Sequence, residues 1–175
     1  MAYTYSKIAT YTVGSGGVSS INFLNIPQNY TDLLIKFSGR GSGTSGVMRM
    51  QFNITTAGYS NRNLYGTGSA AGSESATGTS SFFSAVNSGN INWNSTTAST
   101  FSNMEIYIPN YTSSNYKSIS TDAVVENNAT LGYQFMNAGV LNITAPITQI
   151  DLLPSGSETF VQYSTAHLYG IKAEL

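Results

Sequence analysis

The stretch DLLIKFSGR, residues 32–40, decides the fold class because its apolar and polar side chains alternate. In an extended chain Leu33, Ile35 and Phe37 point to one side, whereas Lys36 points to the other. A two-residue period is typical of a β-strand with one face in the core and one face in water. Such half-buried strands favour an antiparallel sheet.

Three further segments repeat this alternation: VMRMQFNI at 47–54, SNMEIYIP at 102–109 and ITQIDLLP at 147–154. The pattern predicts that Ile54 shares the buried face of the first segment. It also predicts that Asp151 lies on the wet face of the third. Weaker strand patterns complete a total of about nine strands, at 3–13, 19–24, 115–125, 131–136 and 159–172.

No segment carries the apolar stripe of an amphipathic helix over ten residues. Only 9% of the residues are charged, against roughly 25% in an average soluble domain. Ser, Thr, Asn and Gly take their place, and these residues favour strands and turns over helices. The sequence therefore predicts an all-β fold, an antiparallel β-sandwich of jelly-roll type.

A Ser/Gly-rich stretch, GTGSAAGSESATGTSS at 66–81, interrupts the strand pattern. Its small polar side chains bury little apolar surface to offset the entropy of ordering. The residues before it hold about four strands, too few for a sandwich of their own. We therefore expect a single domain, 1–175, with one long loop excursion at 57–100 that is partly ordered by its aromatic residues.

The totals exclude several classes of function. A net charge of −1 supplies no basic surface for nucleic acid or an anionic membrane. No apolar run approaches the roughly 18 residues of a membrane span, and no secretory signal begins the chain. There is no cysteine and one histidine, His167, so the sequence predicts no metal site, no cofactor and no thiol chemistry.

Catalytic patterns are also missing. A glycosidase needs two carboxylates across a cleft, and nothing in the sequence marks a pair among Glu105, Asp122, Glu126 and Asp151. We therefore expect no enzyme activity. The 12 tyrosines and one tryptophan leave a sugar-binding site open, with Tyr59, Tyr65, Trp93 or Tyr111 as the stacking platform.

An internal echo, IPQNYT at 26–31 and IPNYT at 108–112, places a proline at the end of two strands. Around it the chain resembles small virion structural proteins of tailed phages, common among phages of aquatic bacteria. The resembling segments are YTVGSGGVSSINFLNIPQNYTDLLIKFSGR at 11–40, NRNLYGTGS at 61–69, IPNYTSSNYKSIS at 108–120 and ITQIDLLPSGSETFVQYSTAHLYGIK at 147–172.

The resemblance implies a jelly-roll or sandwich domain of a head decoration protein, fibre or tail part, with no cofactor. Because patterned strand fills the chain from residue 3 to residue 172, we expect a bare domain without an anchor or stalk. This favours a capsid decoration or cement protein in the virion, assembled in the host cytoplasm. Its partners would be copies of itself, as a homotrimer, and the major capsid protein or other virion proteins.

The alternative is a receptor- or glycan-binding domain of a phage tail or fibre, with a host surface glycan as its partner. For either role the expected interface residues are aromatic side chains of the long loop and of the C-terminal strand. They are Tyr59, Tyr65, Phe82, Phe83, Trp93, Tyr163, His167 and Tyr169.

Overall fold

The structure is a computed structural model that describes residues 3–44, 46–83, 89–129 and 132–173. Within these ranges the chain forms eleven strands and no helix. The strands are β1 (Tyr3–Thr12), β2 (Ile21–Phe23), β3 (Asp32–Gly39), β4 (Met48–Phe52), β5 (Tyr59–Gly66), β6 (Ala71–Thr79), β7 (Ser102–Ile108), β8 (Lys117–Glu126), β9 (Gly132–Leu141), β10 (Ile150–Pro154) and β11 (Thr165–Ala173).

The strands form two antiparallel sheets of unequal width. The larger has the order β1-β11-β3-β7-β8-β9-β5-β6 and the smaller the order β2-β10-β4. The prediction of an all-β antiparallel sandwich is confirmed. A jelly-roll connectivity stays a prediction, because a jelly roll is defined by Greek-key connections and not by its all-β content.

Strand β3 lies inside the larger sheet, between β11 and β7. Its Ile35 is opposite Ile106 on β7 and Leu168 on β11, and all three side chains are buried. Burying one such side chain contributes roughly 1.5–3 kcal/mol. The same core cluster includes Met50 of the smaller sheet, so the apolar side of the DLLIKFSGR pattern faces the interior between the sheets.

The predicted excursion at 57–100 is wrong for much of its length, because β5 and β6 lie inside it. Strand β5 pairs with β9, and β6 pairs with β5 along its whole length. The inward positions of β5 include Asn61 and Asn63, which are buried but polar. The sequence therefore lacks the regular apolar alternation that would predict this strand. The stretch at 66–81 therefore forms mostly an edge strand, ordered by backbone hydrogen bonds to its neighbour.

Two side-chain placements also differ from the pattern. Ile54 is 65% exposed because the chain turns away after β4 with positive φ at Asn53 and Ile54. Asp151 is 4% exposed, not on a wet face. The Gln149 amide donates to its carboxylate at 2.8 Å, and the Asn22 amide also donates to it, so hydrogen bonds offset the cost of burial.

The echoed IPQNYT and IPNYT segments lie beside each other at one end of the larger sheet. The Tyr107 hydroxyl and the Asn110 backbone N–H each donate to the Asp32 carboxylate at 2.8 Å. The buried Tyr111 hydroxyl donates to the Pro27 carbonyl. These bonds join the start of β3 to the end of β7.

We expect the substitution Gly139→Ala to destabilise the protein. A Cβ at Gly139 would lie 2.6 Å from Cδ1 of Phe82 and 2.9 Å from Cγ1 of Ile119. Overpacking of this kind costs roughly 1–3 kcal/mol in the free energy of unfolding, measurable by urea denaturation. Gly132→Ala on the same strand is the control, because a Cβ there meets no atom within 4 Å. Equal stability of the two variants would contradict this packing.

Candidate binding cleft and docking face

Three of the expected interface residues belong to the core. Tyr59, Phe82 and Phe83 are completely buried, so the prediction that they contact a partner is wrong. The rings of Tyr59 and Phe82 meet edge to face at 4.8 Å, and those of Phe83 and Phe135 at 6.2 Å. Phe82 also exchanges backbone hydrogen bonds with Met50, which extends the cover that the smaller sheet provides.

The Tyr59 hydroxyl is tied inside the core. It accepts a hydrogen bond from the Phe52 backbone N–H at 2.9 Å and donates one to the Thr55 carbonyl at 3.1 Å. Burial raises the pKa of Tyr59 to about 12, because an ionised phenolate is poorly solvated there. Tyr111, the other buried candidate platform, likewise has its pKa raised by burial.

The C-terminal candidates do not form a pocket together. His167 and Tyr169 point to the outer face of β11, and their ring centroids are 6.5 Å apart. The Nδ1 atom of His167 is hydrogen-bonded to the Thr10 hydroxyl at 3.0 Å. Tyr163 is exposed in the preceding turn with a φ of 72°. The hydrogen bond of His167 and its ring contact with Tyr169 join neighbouring residues on the surface of the sheet.

Trp93 and Tyr65 do come together, in a cleft that also contains Tyr133. Two adjoining hollows of about 290 and 230 Å³ share Trp93 and Tyr133 as walls. Tyr65 lines the second hollow. We name this feature the aromatic cleft. Sequence reasoning missed Tyr133, whose place on the inward side of β9 depends on the pairing of that strand with β8.

The aromatic cleft exists because the larger sheet is wider than the smaller one. Tyr65 is paired with Phe135, and Tyr133 with Val125, on the inward side of β5, β9 and β8. The loop that carries Trp93 lies next to these residues and lines both hollows with them. The cleft is therefore a gap between that loop and the inward side of the sheet.

Arg40 holds the Trp93 loop in place. Arg40 is 8% exposed, and its guanidinium donates to the Thr97 carbonyl at 2.8 Å, the Thr96 hydroxyl at 2.9 Å and the Thr100 carbonyl at 3.2 Å. Arg40 also forms a β-bridge with Asn92. Burial lowers the pKa of Arg40, and these neutral acceptors compensate for the lost water.

The loop is also attached to the end of β8. The Asn92 amide donates to the Thr100 hydroxyl at 2.6 Å and to the Glu126 carbonyl at 2.7 Å. The Thr97 hydroxyl donates to the Asn127 carbonyl at 2.7 Å. A short polar segment, NSTTAST at 94–100, is thus fixed by side-chain hydrogen bonds and not by apolar side chains.

A second feature lies on the outer face of the larger sheet, the side away from the core. Leu64 is 60% exposed and Met136 is 48% exposed, and the two are cross-strand partners on β5 and β9. Exposed Ala138 and Val140 continue the apolar surface along β9. We name these four residues the outer patch. Three of them (Leu64, Met136 and Ala138) line a shallow concavity of about 650 Å³.

The outer face also brings carboxylates together. Glu105 on β7 is opposite Asp122 on β8, and Lys36 forms an ion pair with Glu105. All three side chains are exposed. Lys36, Glu105 and Asp122 line a hollow of about 210 Å³ on this face.

In the part of the chain that the structure describes, no group of three or more His, Asp or Glu residues could hold a metal ion. A search of the same residues found no helix of the length and apolar character needed to cross a membrane. Comparisons of the chain with protein-family models, curated proteins and solved structures found no match. The aromatic cleft and the outer patch are therefore the two candidate functional sites.

We expect Arg40→Gln to lower the free energy of unfolding by roughly 1–3 kcal/mol, because the buried Thr100 carbonyl and partly buried groups of Thr96 and Thr97 would lose their donor. Trp93 is the single tryptophan, so its emission reports on the loop and should shift to longer wavelength in the variant. Arg62→Gln, at an exposed arginine on β5, is the control. An unchanged emission spectrum in a folded Arg40→Gln protein would contradict the role of this guanidinium.

The Tyr59 hydroxyl predicts a loss of stability in alkali. In the unfolded chain it ionises near its ordinary value of about 10, so between pH 10 and about 12 the unfolded state gives up a proton that the folded state keeps. The free energy of unfolding should therefore fall across this window. Denaturation of Tyr59→Phe should show a shallower fall. Tyr116→Phe, at an exposed tyrosine, should match the wild type.

Proposed function

We propose that the chain is a non-enzymatic structural subunit of a phage virion, a capsid decoration or cement protein that docks through its outer patch. The observation that carries this proposal is the exposed apolar surface formed by Leu64, Met136, Ala138 and Val140. The resemblance to virion structural proteins of tailed phages supplies the kind of assembly. That resemblance rests on the sequence segments and not on the comparisons.

The physical argument is that an apolar patch on a sheet face is costly in water. A contiguous exposed patch of this kind marks an interaction surface. Fully burying an exposed Leu or Met side chain contributes roughly 1.5–3 kcal/mol, and Leu64 and Met136 have about half of that exposure left to lose. The serines beside the patch, Ser73, Ser75 and Ser120, supply hydroxyls for the polar rim that surrounds the apolar centre of a protein interface.

The expected partner is the regular surface of an assembled shell, contacted by several copies at once. A subunit that binds only the assembled shell stabilises that shell by mass action. In a homotrimer, once one subunit is bound the other two are held at a high effective concentration near the shell, so the overall affinity exceeds that of a single contact. Density for this domain on the outer surface of the head, in a cryo-EM map of the source particle, would support this placement.

A receptor- or glycan-binding role on a tail or fibre is the second candidate. The aromatic cleft is the observation that favours it, because Trp93, Tyr133 and Tyr65 present partly exposed rings in one place. Density for the domain at the tail tip would support this candidate in place of the first.

We expect wild-type protein to raise the melting temperature of isolated heads that lack it, and a Leu64→Ser/Met136→Ser variant to raise it much less. The control is Leu24→Ser/Ile54→Ser. It removes two apolar side chains that are exposed, as Leu64 and Met136 are, but lie outside the outer patch. Scanning calorimetry of the heads measures the shift. No shift with the wild type at saturation would reject the cement role, and an equal shift with the patch variant would reject the docking face.

A further inference from the structure

We propose that the aromatic cleft binds a neutral saccharide, with a sugar ring stacked between Trp93 and Tyr133. This inference names a ligand class and a site for the second candidate role. It does not depend on decoration of a shell, because the aromatic cleft and the concavity of the outer patch share no lining residue.

The walls of the cleft suit the apolar face of a sugar. Trp93 and Tyr133 line both hollows, and Tyr65 lines the second. A pyranose presents several C–H groups on one face, and these bear partial positive charge. The face of an aromatic ring is negative, so the two surfaces attract each other while both lose water.

The rim of the cleft is polar, as a polyhydroxylated ligand requires. Ser95, Thr97 and Asn127 border the first hollow, and Thr67 borders the second. Ser95 and Thr97 are exposed, and Asn127 and Thr67 are half-buried. Hydroxyl and amide side chains of this kind both donate and accept hydrogen bonds, which matches the alternating needs of sugar hydroxyls.

The charges around the cleft exclude acidic sugars. Among the residues that line the two hollows, the charged one is Glu126, which repels a uronate or a sialate. Arg40, the cation that contacts the loop, is 8% exposed and directed at loop carbonyls. A neutral hexose or N-acetylhexosamine is therefore the class that fits.

The size and rigidity of the cleft narrow the ligand further. Each hollow, at about 290 and 230 Å³, falls at or below the lower end of the range for drug-sized ligands, roughly 300–1,000 Å³. One ring per hollow, hence a disaccharide, matches this volume. A Cβ at Gly89 would lie 2.9 Å from Cζ3 of Trp93, so the indole packs tightly on that backbone and is held in place before a ligand arrives.

The test is a fluorescence titration of the full chain, because Trp93 is its single tryptophan. The probes are neutral disaccharides, namely lactose, maltose and N,N′-diacetylchitobiose, with digalacturonic acid as the acidic comparison. We expect a saturable change in emission with at least one neutral probe. We expect affinity for digalacturonic acid to be at least about tenfold weaker.

Variants identify the site. Tyr133→Ala should weaken binding at least about tenfold, and Trp93→Ala, followed by NMR of the ligand, should do the same. Tyr116→Ala, at an exposed tyrosine outside the cleft, should leave affinity unchanged. Circular dichroism confirms that each variant is folded, and Tyr133→Phe provides a milder change if Tyr133→Ala does not fold.

Three outcomes would overturn the proposal: no saturable response to any neutral probe, a preference for digalacturonic acid, or unchanged affinity in the folded cleft variants. The outcome is separable from the docking proposal. Cleft variants should still raise the melting temperature of isolated heads if the outer patch docks there, and outer-patch variants should still bind the sugar.

Discussion

The inner face of the larger sheet has to be buried, but the sheet opposite it has three strands against eight. Irregular segments must therefore cover what the smaller sheet does not. Phe82 extends the smaller sheet by pairing with Met50, and Phe83 packs on Phe135 of β9. The polar loop with Trp93 borders the remaining inner surface. The aromatic cleft is the consequence of this mismatch in width.

The loop keeps its shape through Arg40 and not through apolar burial. One buried guanidinium binds carbonyl and hydroxyl groups of Thr96, Thr97 and Thr100, so a segment of small polar residues acquires a fixed conformation. The arginine is positioned by its place directly after β3, the strand on which the core is built. Arg40 therefore links the core strand to the loop that borders the cleft, beside the bonds that Asn92 and Thr97 make to the end of β8.

The two faces of the larger sheet present different chemistry to solvent. The outer patch is apolar and lines a shallow concavity, which suits a protein surface, and Asp122, opposite Met136 on the neighbouring strand, adds a charged neighbour. The aromatic cleft is small, lined with rings and bordered by hydroxyls and amides, which suits a sugar. The docking proposal and the sugar-binding proposal are tested by separate measurements.

The sequence by itself determined the fold class and nine of the strands, because alternation such as Leu33-x-Ile35-x-Phe37 depends only on the two-residue period of an extended chain. It missed β5 and β6, because the middle inward positions of β5 are the polar Asn61 and Asn63 and β6 is a run of small and polar residues. Their strand conformation comes from hydrogen bonding to β9, a long-range partner.

Only the tertiary structure decided which aromatic residues are accessible. Composition treats Tyr59, Phe82 and Trp93 alike, yet the first two fill the core and the third lines a cleft. Burial depends on which residues the pairing of distant strands brings opposite each other. That same pairing placed Tyr133 and the outer patch. Alternation along one strand shows which residues share a face, but the neighbouring strands decide which face is buried.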